Sequence, residues 1–287
     1  MFDDQGFFNI FSVLNELKIQ KYLFISITLI CTLGAYVYSK ITTPEYEAQI
    51  TLMPISQQGE EATGGLGAVS SLISQSNTSV DIPTWLEATI IMETRDFSSK
   101  FITSQNIMQI LIDENDLDIL WDDLSREEKK IILNDLALLW STKYIEIEKE
   151  DPTNIITFSV ISENKELATK WATQYINDIN AYMKEFLKAE AEYKIQFYRE
   201  RIQEEKINDI RTSLINLLAS AIQERALINT KDEVVLRTID HAGIALLKFP
   251  ILKLNIAIGL FVGLMLGLLT VFFIAAFKRH KDVNNKT

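Results

Sequence analysis

Two kinds of hydrophobic pattern divide the chain. Near each end the apolar residues form an unbroken run, whereas between the runs they recur with a period of two or of about 3.6. The run towards the C-terminal end, Leu254 to Phe277, holds 24 residues with no charge and one amide, Asn255. At ~1.5 Å per residue such a helix reaches roughly 36 Å, enough to cross a ~30 Å hydrocarbon core with some tilt. The other run, Tyr22 to Ser39, has 18 residues and lies between Lys21 and Lys40. That is near the lower limit for a span. Tyr22, Tyr36 and Tyr38 suit the membrane interfaces, and the flanking lysines can snorkel. A cleaved signal peptide fits less well, because Ser39-Lys40-Ile41 is a poor small-residue cleavage site.

The intervening pattern predicts an α+β domain. Pro44 to Pro54 alternates Tyr46, Ala48, Ile50 and Leu52 with Glu47, Gln49 and Thr51, the signature of a half-buried strand. A tract rich in Ser, Gly and Gln, 56–80, reads as a surface loop. Pro83 opens a helical region with two helices expected and a break near Thr94 to Asp96. A further helix is expected from Ser125 to Trp140, capped by Ser125 with Glu128 at the capping-box position. Lys143–Glu150 and Asn154–Ser162 read as strands joined by an Asp151-Pro152 turn, and Glu233–Ala242 as a last strand that can pair with the first. From Glu163 to Thr230 there is no Gly and no Pro. Ser162 is the expected N-cap, and one continuous helix of on the order of 100 Å is predicted. Its stripe of Tyr182, Phe186, Tyr193 and Phe197, with the apolar residues around it, exceeds what one small base can cover. Much of it is expected to pack on another helix of the same or a neighbouring chain. The alternative is a helix broken near Asn208 or Ser220 and folded back.

The expected organisation is therefore a cytoplasmic N-terminus (1–21), a transmembrane helix (22–39), an α/β base with helices (41–162), a long helix (163–230), a return strand and juxtamembrane linker (231–253), a second transmembrane helix (254–277) and a cytoplasmic tail (278–287).

Charge orients these segments. Lys18 and Lys21 precede the first span, and Lys278, Arg279, Lys281 and Lys286 follow the second. The positive-inside rule then places both ends in the cytoplasm and the large domain outside. That domain, Ile41 to Lys253, carries a formal charge of −14 within a chain of net charge −11. Such acidity argues against nucleic acid, which needs a basic stripe. The single cysteine, Cys31, lies inside the first span, so the outer domain has no disulfide framework.

Candidate chemistry is sparse. The two histidines, His241 and His280, stand in no metal-ligand spacing. Carboxylate pairs such as Glu204–Glu205, Asp122–Asp123 and Glu60–Glu61 fit a solvated acidic surface. Gly59 and Gly64 have a Walker-like spacing but are followed by Gly65-Leu66 rather than Lys-Ser/Thr. No catalytic, cofactor or metal site is expected. The glycines of the second run have a different use. Gly259, Gly263 and Gly267 form two overlapping G-x-x-x-G units on one face, where another helix can approach closely. Gly34, Ala35 and Ser26 offer one partner surface in the first span; contact between subunits or with a different membrane protein is the alternative.

The order of these elements resembles the Wzz-type chain-length determinants, the polysaccharide co-polymerases of bacterial envelopes. The resemblance runs over nearly the whole chain. It is carried by PEYEAQITLMP after the first span, by Thr94–Asp122, by Ser159–Asn180 entering the long helix and by the Gly-rich second span. It implies a kinase-free, non-catalytic membrane protein whose homo-oligomeric ring sets the length of a glycan made by a partner polymerase. The inner membrane is the implied location, with the large domain periplasmic. The product is expected to be lipopolysaccharide O-antigen, and a lipid-linked glycan is a further candidate partner. One departure concerns the juxtamembrane prolines. Family members carry a repeated P-x-x-P before the second span, whereas here only Pro250 stands there, with Pro44 after the first span. An adaptor for a separate cytoplasmic tyrosine kinase in capsule export is the alternative, although a longer docking tail than Lys278–Thr287 is expected of it. A two-span sensor or scaffold is a third reading.

Overall fold

A computed structural model describes residues 19–55, 82–117 and 119–284. The Ser/Gly-rich loop at 56–80 and most of the N-terminal segment lie outside the described residues. The chain forms two compact units, Met1–Glu45 with Leu247–Thr287, and Tyr46–Leu246.

The first unit is a helix pair, α1 (Lys21–Ile41) and a helix near the other end, Leu252–Asn284. Both are long and apolar enough to cross a membrane. Only 6% and 22% of their most apolar windows are buried, so most of that apolar surface faces outward. A helix from the core of a soluble protein would be mostly covered.

The second unit is mostly helical around a small antiparallel sheet. Its elements are β1 (Glu45–Pro54), α2 (Thr84–Met92), α3 (Arg95–Gln105), α4 (Met108–Glu114), α5 (Arg126–Leu139), β2 (Ile145–Glu150), β3 (Ile155–Ser162), α6 (Lys165–Glu204), α7 (Asn208–Thr230) and β4 (Leu236–Asp240). A short β5 (Leu246–Phe249) falls at the boundary of the two units, so the helix Leu252–Asn284 becomes α8. The strand order is β2-β3-β1-β4. Ile50 of β1 lies opposite Phe158 of β3, and Pro54 opposite Leu236 of β4. The expected pairing of first and last strands is thus observed, with the last strand shorter than its pattern suggested.

Alternation explains the core. Ala48, Ile50 and Leu52 of β1 and Ile156, Phe158 and Val160 of β3 are all buried on one face. An aromatic cluster covers that face. Tyr175 of α6 stacks on Phe158 at 5.3 Å and meets Phe97 and Phe101 edge-on at 5.1 and 4.8 Å. Its hydroxyl donates to the carbonyl of Met92 at 2.5 Å, so this buried polar group is satisfied. Burial pushes the phenol pKa well above its usual value.

Local rules set the helix ends. Ser125 and Glu128 form the expected capping box, with Glu128 accepting from Ser125 N at 2.9 Å. The break before α3 falls at Thr94, whose hydroxyl accepts from Phe97 N. The region holds three helices rather than two, because Asn106 adopts a left-handed conformation (φ 52°) and ends α3. Asp151–Pro152 joins β2 to β3 as expected, through a cis peptide bond.

Two expectations for the long helix are corrected. Its N-cap is Asn164, which accepts from Glu166 N and Leu167 N, and not Ser162, which ends β3. The helix also does not run unbroken to Thr230. It stops at Glu204 after 40 residues, about 60 Å, and α7 returns with 23 more. Glu205 turns extended, and its carboxylate accepts from the N–H groups of Lys206 and Ile207. That satisfies backbone donors at the break. Lys194 meets Glu224, Glu192 meets Arg225 and Lys184 meets Asp232, so α7 runs antiparallel to α6. Folding back covers Leu187, Ala191 and Ile195, which a straight helix would leave without cover from this chain.

Candidate functional site: a glycine seam and an aromatic stripe

The seam lies within the helix pair. A Cβ added to Gly267 would sit 2.8 Å from Phe24 Cδ2, and one on Gly263 would sit 2.9 Å from Thr28 Cα and 3.0 Å from Cys31 Cβ. One on Gly259 would overlap Ala35 Cβ. The matched positions descend in α1 as they rise in α8, so the helices are antiparallel. At Gly263 the obstruction is partly backbone, which cannot rotate away. Any side chain there must part the helices.

These contacts place all three α8 glycines against α1 of the same chain. Gly34 is elsewhere: a Cβ there would have nothing within 4 Å. Ala35, its neighbour, occupies the position opposite Gly259. Helical geometry separates adjacent residues by about 100°, so Gly34 and Ala35 cannot both face α8. The hydroxyls of Thr28 and Thr32 donate to carbonyls one turn back, at 3.0 and 2.8 Å. Threonine thus enters this apolar helix without leaving a donor unpaired.

The two juxtamembrane prolines differ. Pro44 is exposed just before β1, whereas Pro250 is buried, follows a cis bond from Phe249 and precedes α8.

The second region is the exposed side of α6. Tyr182, Phe186, Tyr193 and Phe197 fall within about 60° of arc at 100° per residue. Tyr193 is 71% exposed, and the other three are about two-fifths exposed at 37–42%. Tyr193 and Phe197 stack with centroids 6.5 Å apart, and Arg201 lies over Phe197 at 5.6 Å. Tyr182 is anchored at the root, edge-on to Phe97 and beneath Lys100. α6 therefore has two apolar faces, one under α7 and one left open among the described residues.

The face towards α7 is held by charge as well. Lys194 bonds Glu190 at 2.9 Å and approaches Glu224 at 3.6 Å. Burial works against its charged form, but the two carboxylates outweigh that and raise its pKa.

One residue escaped the sequence reading. Asn180 is buried on α6 and clamps the returning chain. Its Nδ2 donates to Leu236 O at 2.9 Å, and its Oδ1 accepts from Val235 N and Leu236 N at 3.3 and 3.2 Å. A signal existed, since Asn180 falls among Ile176, Ile179 and Met183 on the inward face of the helix. Among the described residues no group of His, Cys, Asp and Glu could hold a metal ion.

A solved full-length bacterial polysaccharide co-polymerase aligns over 94% of this chain and 99% of its own, at 13% identity and a TM-score of 0.41. No curated protein matches. Residues 6–115 match the family model of Wzz, the chain length determinant proteins. The resemblance to chain-length determinants is thus borne out over the segment that holds α1, β1 and the helices α2 to α4.

Proposed function

We propose that this protein is a non-catalytic polysaccharide co-polymerase. It sets the length of a surface glycan, lipopolysaccharide O-antigen in the first instance, made by a separate membrane polymerase. The observation that carries this reading is the match of residues 6–115 to the chain-length determinants. The two span-length helices and the domain enclosed by them in sequence support it.

In this reading α1 and α8 cross the inner membrane with both termini cytoplasmic, and the sheet and the α6–α7 hairpin lie in the periplasm. The glycine seam holds the two spans together as one anchor. The open stripe of Tyr182, Phe186, Tyr193 and Phe197 packs on a neighbouring copy, which would remove its apolar surface from water. Length control then comes from the assembled ring, and no bond is made or broken by this chain.

A gel profile of the surface glycan tests the reading, with the gene deleted and then restored. A clustered ladder that becomes short and unregulated on deletion, and recovers on complementation, is the expected outcome. A ladder unchanged by deletion would remove the length-regulator reading for that glycan.

A further inference from the structure

A polar knot stands at the root of α6, where β3 ends. Ser162 Oγ donates to Glu114 Oε1 at 2.7 Å and accepts from Asn164 N at 3.2 Å. Asn164 in turn caps α6. Asn115 Nδ2 donates to Leu111 O at 2.7 Å and to the Tyr144 hydroxyl at 2.8 Å, while Lys143 Nζ donates to Asn115 Oδ1 at 3.0 Å. One carboxyl thus touches the residue that leads into α6, and it ends α4. Its second oxygen, Oε2, is buried and has no hydrogen-bond partner.

An ionised carboxylate with a buried, unpartnered oxygen is costly, because water no longer solvates it. Burial accordingly raises the Glu114 pKa. The Ser162 hydroxyl, the Tyr144 hydroxyl and the Glu163 N–H all favour the charged form, but burial outweighs them and the nearby Glu163 carboxylate adds to the rise. The same burial and the Glu114 charge push the Tyr144 phenol far up, so it stays protonated. Lys143 lies over the Tyr144 ring and reaches the knot through Asn115. The groups facing the carboxyl are therefore one acid, one neutral phenol and a cation one residue removed.

We propose that Glu114 is a proton-operated latch on the root of the α6–α7 hairpin, tightened when its carboxyl is neutral and loosened when it is charged. The sign follows from linkage. A carboxyl that binds its proton more tightly folded than unfolded stabilises the fold fully below its ordinary value of 4.5. That contribution is lost as pH rises through the folded value. On the periplasmic placement proposed above, on which this consequence rests, an acidic periplasm would stiffen the joint on which the hairpin stands.

Thermal unfolding of the full chain in detergent micelles, from pH 5 to pH 8, tests this with Glu114→Gln. The amide copies the neutral acid. The variant should melt about 2–4 °C above the wild type at pH 8, and the gap should narrow as the pH is lowered. Ser162→Ala removes a donor to the carboxylate, so its own gap from the wild type should widen as pH rises. Hydrogen exchange at residues 163–170, corrected for intrinsic rates, locates the effect. Protection there should rise from pH 8 to pH 5.5 in the wild type and stay level in Glu114→Gln. A melting gap independent of pH, a Glu114→Gln protein less stable than wild type at pH 8, or equal protection changes in both proteins would overturn the latch.

Discussion

Two antiparallel helix pairs sit in this chain, and they achieve contact by opposite means. In α1/α8 the side chains are removed: three glycines let the backbones approach until an added carbon would lie 2.9 Å from Thr28 Cα. No charge lies in the 24-residue run of α8 that carries them. In α6/α7 the side chains stay, with Leu187, Ala191 and Ile195 buried and ion pairs at the rim. In the proposed setting, with α1/α8 in a membrane and α6/α7 in water, the solvent explains the difference. Beside water, burying an apolar side chain contributes about 1.5–3 kcal/mol, so bulk is favourable. Among lipid tails that term vanishes, and close dispersion contact has to hold the helices.

The contrast can be broken at its most demanding points first. Replacing Asn180 by Leu should cost about 3 kcal/mol, since backbone groups of Val235 and Leu236 lose their buried partners. Urea unfolding of the full chain in micelles would read it. Gly263→Leu should cost about 2–3 kcal/mol through overpacking, while Gly34→Leu should be silent within about 0.5 kcal/mol. Equal effects from the two would refute the seam. Gly263→Cys sharpens the same point by geometry. Its Cβ would stand 3.0 Å from Cys31 Cβ, close enough for an intrachain disulfide after slight relaxation. Peptide mass analysis after mild oxidation should find the 31–263 link.

Smaller effects separate the two helix pairs. Lys194→Gln should cost under about 1 kcal/mol at low salt and almost nothing at high salt, because its pairs are partly exposed. Salt should leave the Gly263→Leu penalty unchanged. The double variant Tyr193→Ala/Phe197→Ala should shift the stability of the isolated chain least, given its exposure. Its expected effect is on assembly, read as a fall in oligomer mass by light scattering. An unaltered oligomer would remove the stripe from the proposed interface.

Periodicity made much of this legible. The period-two run from Tyr46 to Leu52, the Ser125–Glu128 capping box and the Asp151-Pro152 hairpin all rest on interactions within a few residues. The register of G-x-x-x-G likewise marked the α8 face that meets α1. The break at Glu205–Ile207 falls beside Asn208, one of the two alternative break points, yet that tract has no Gly or Pro and local propensity favours helix throughout. The break is compensated by contacts between residues far apart in the chain, such as Lys194 with Glu224, where α7 covers Ala191 and Ile195. Propensity cannot register a gain of that range.

The sequence by itself determined the two span-length helices and the alternating strands, because each depends on composition or on neighbours along the chain. Tertiary structure alone decided that Gly259 of α8 meets Ala35 and not Gly34, that Asn180 holds the returning strand, and that Glu114 stands half-buried at the root of α6. The physical reason is common to all three. A side chain's burial and its partners depend on which distant segment the fold brings against it, and no local pattern records that.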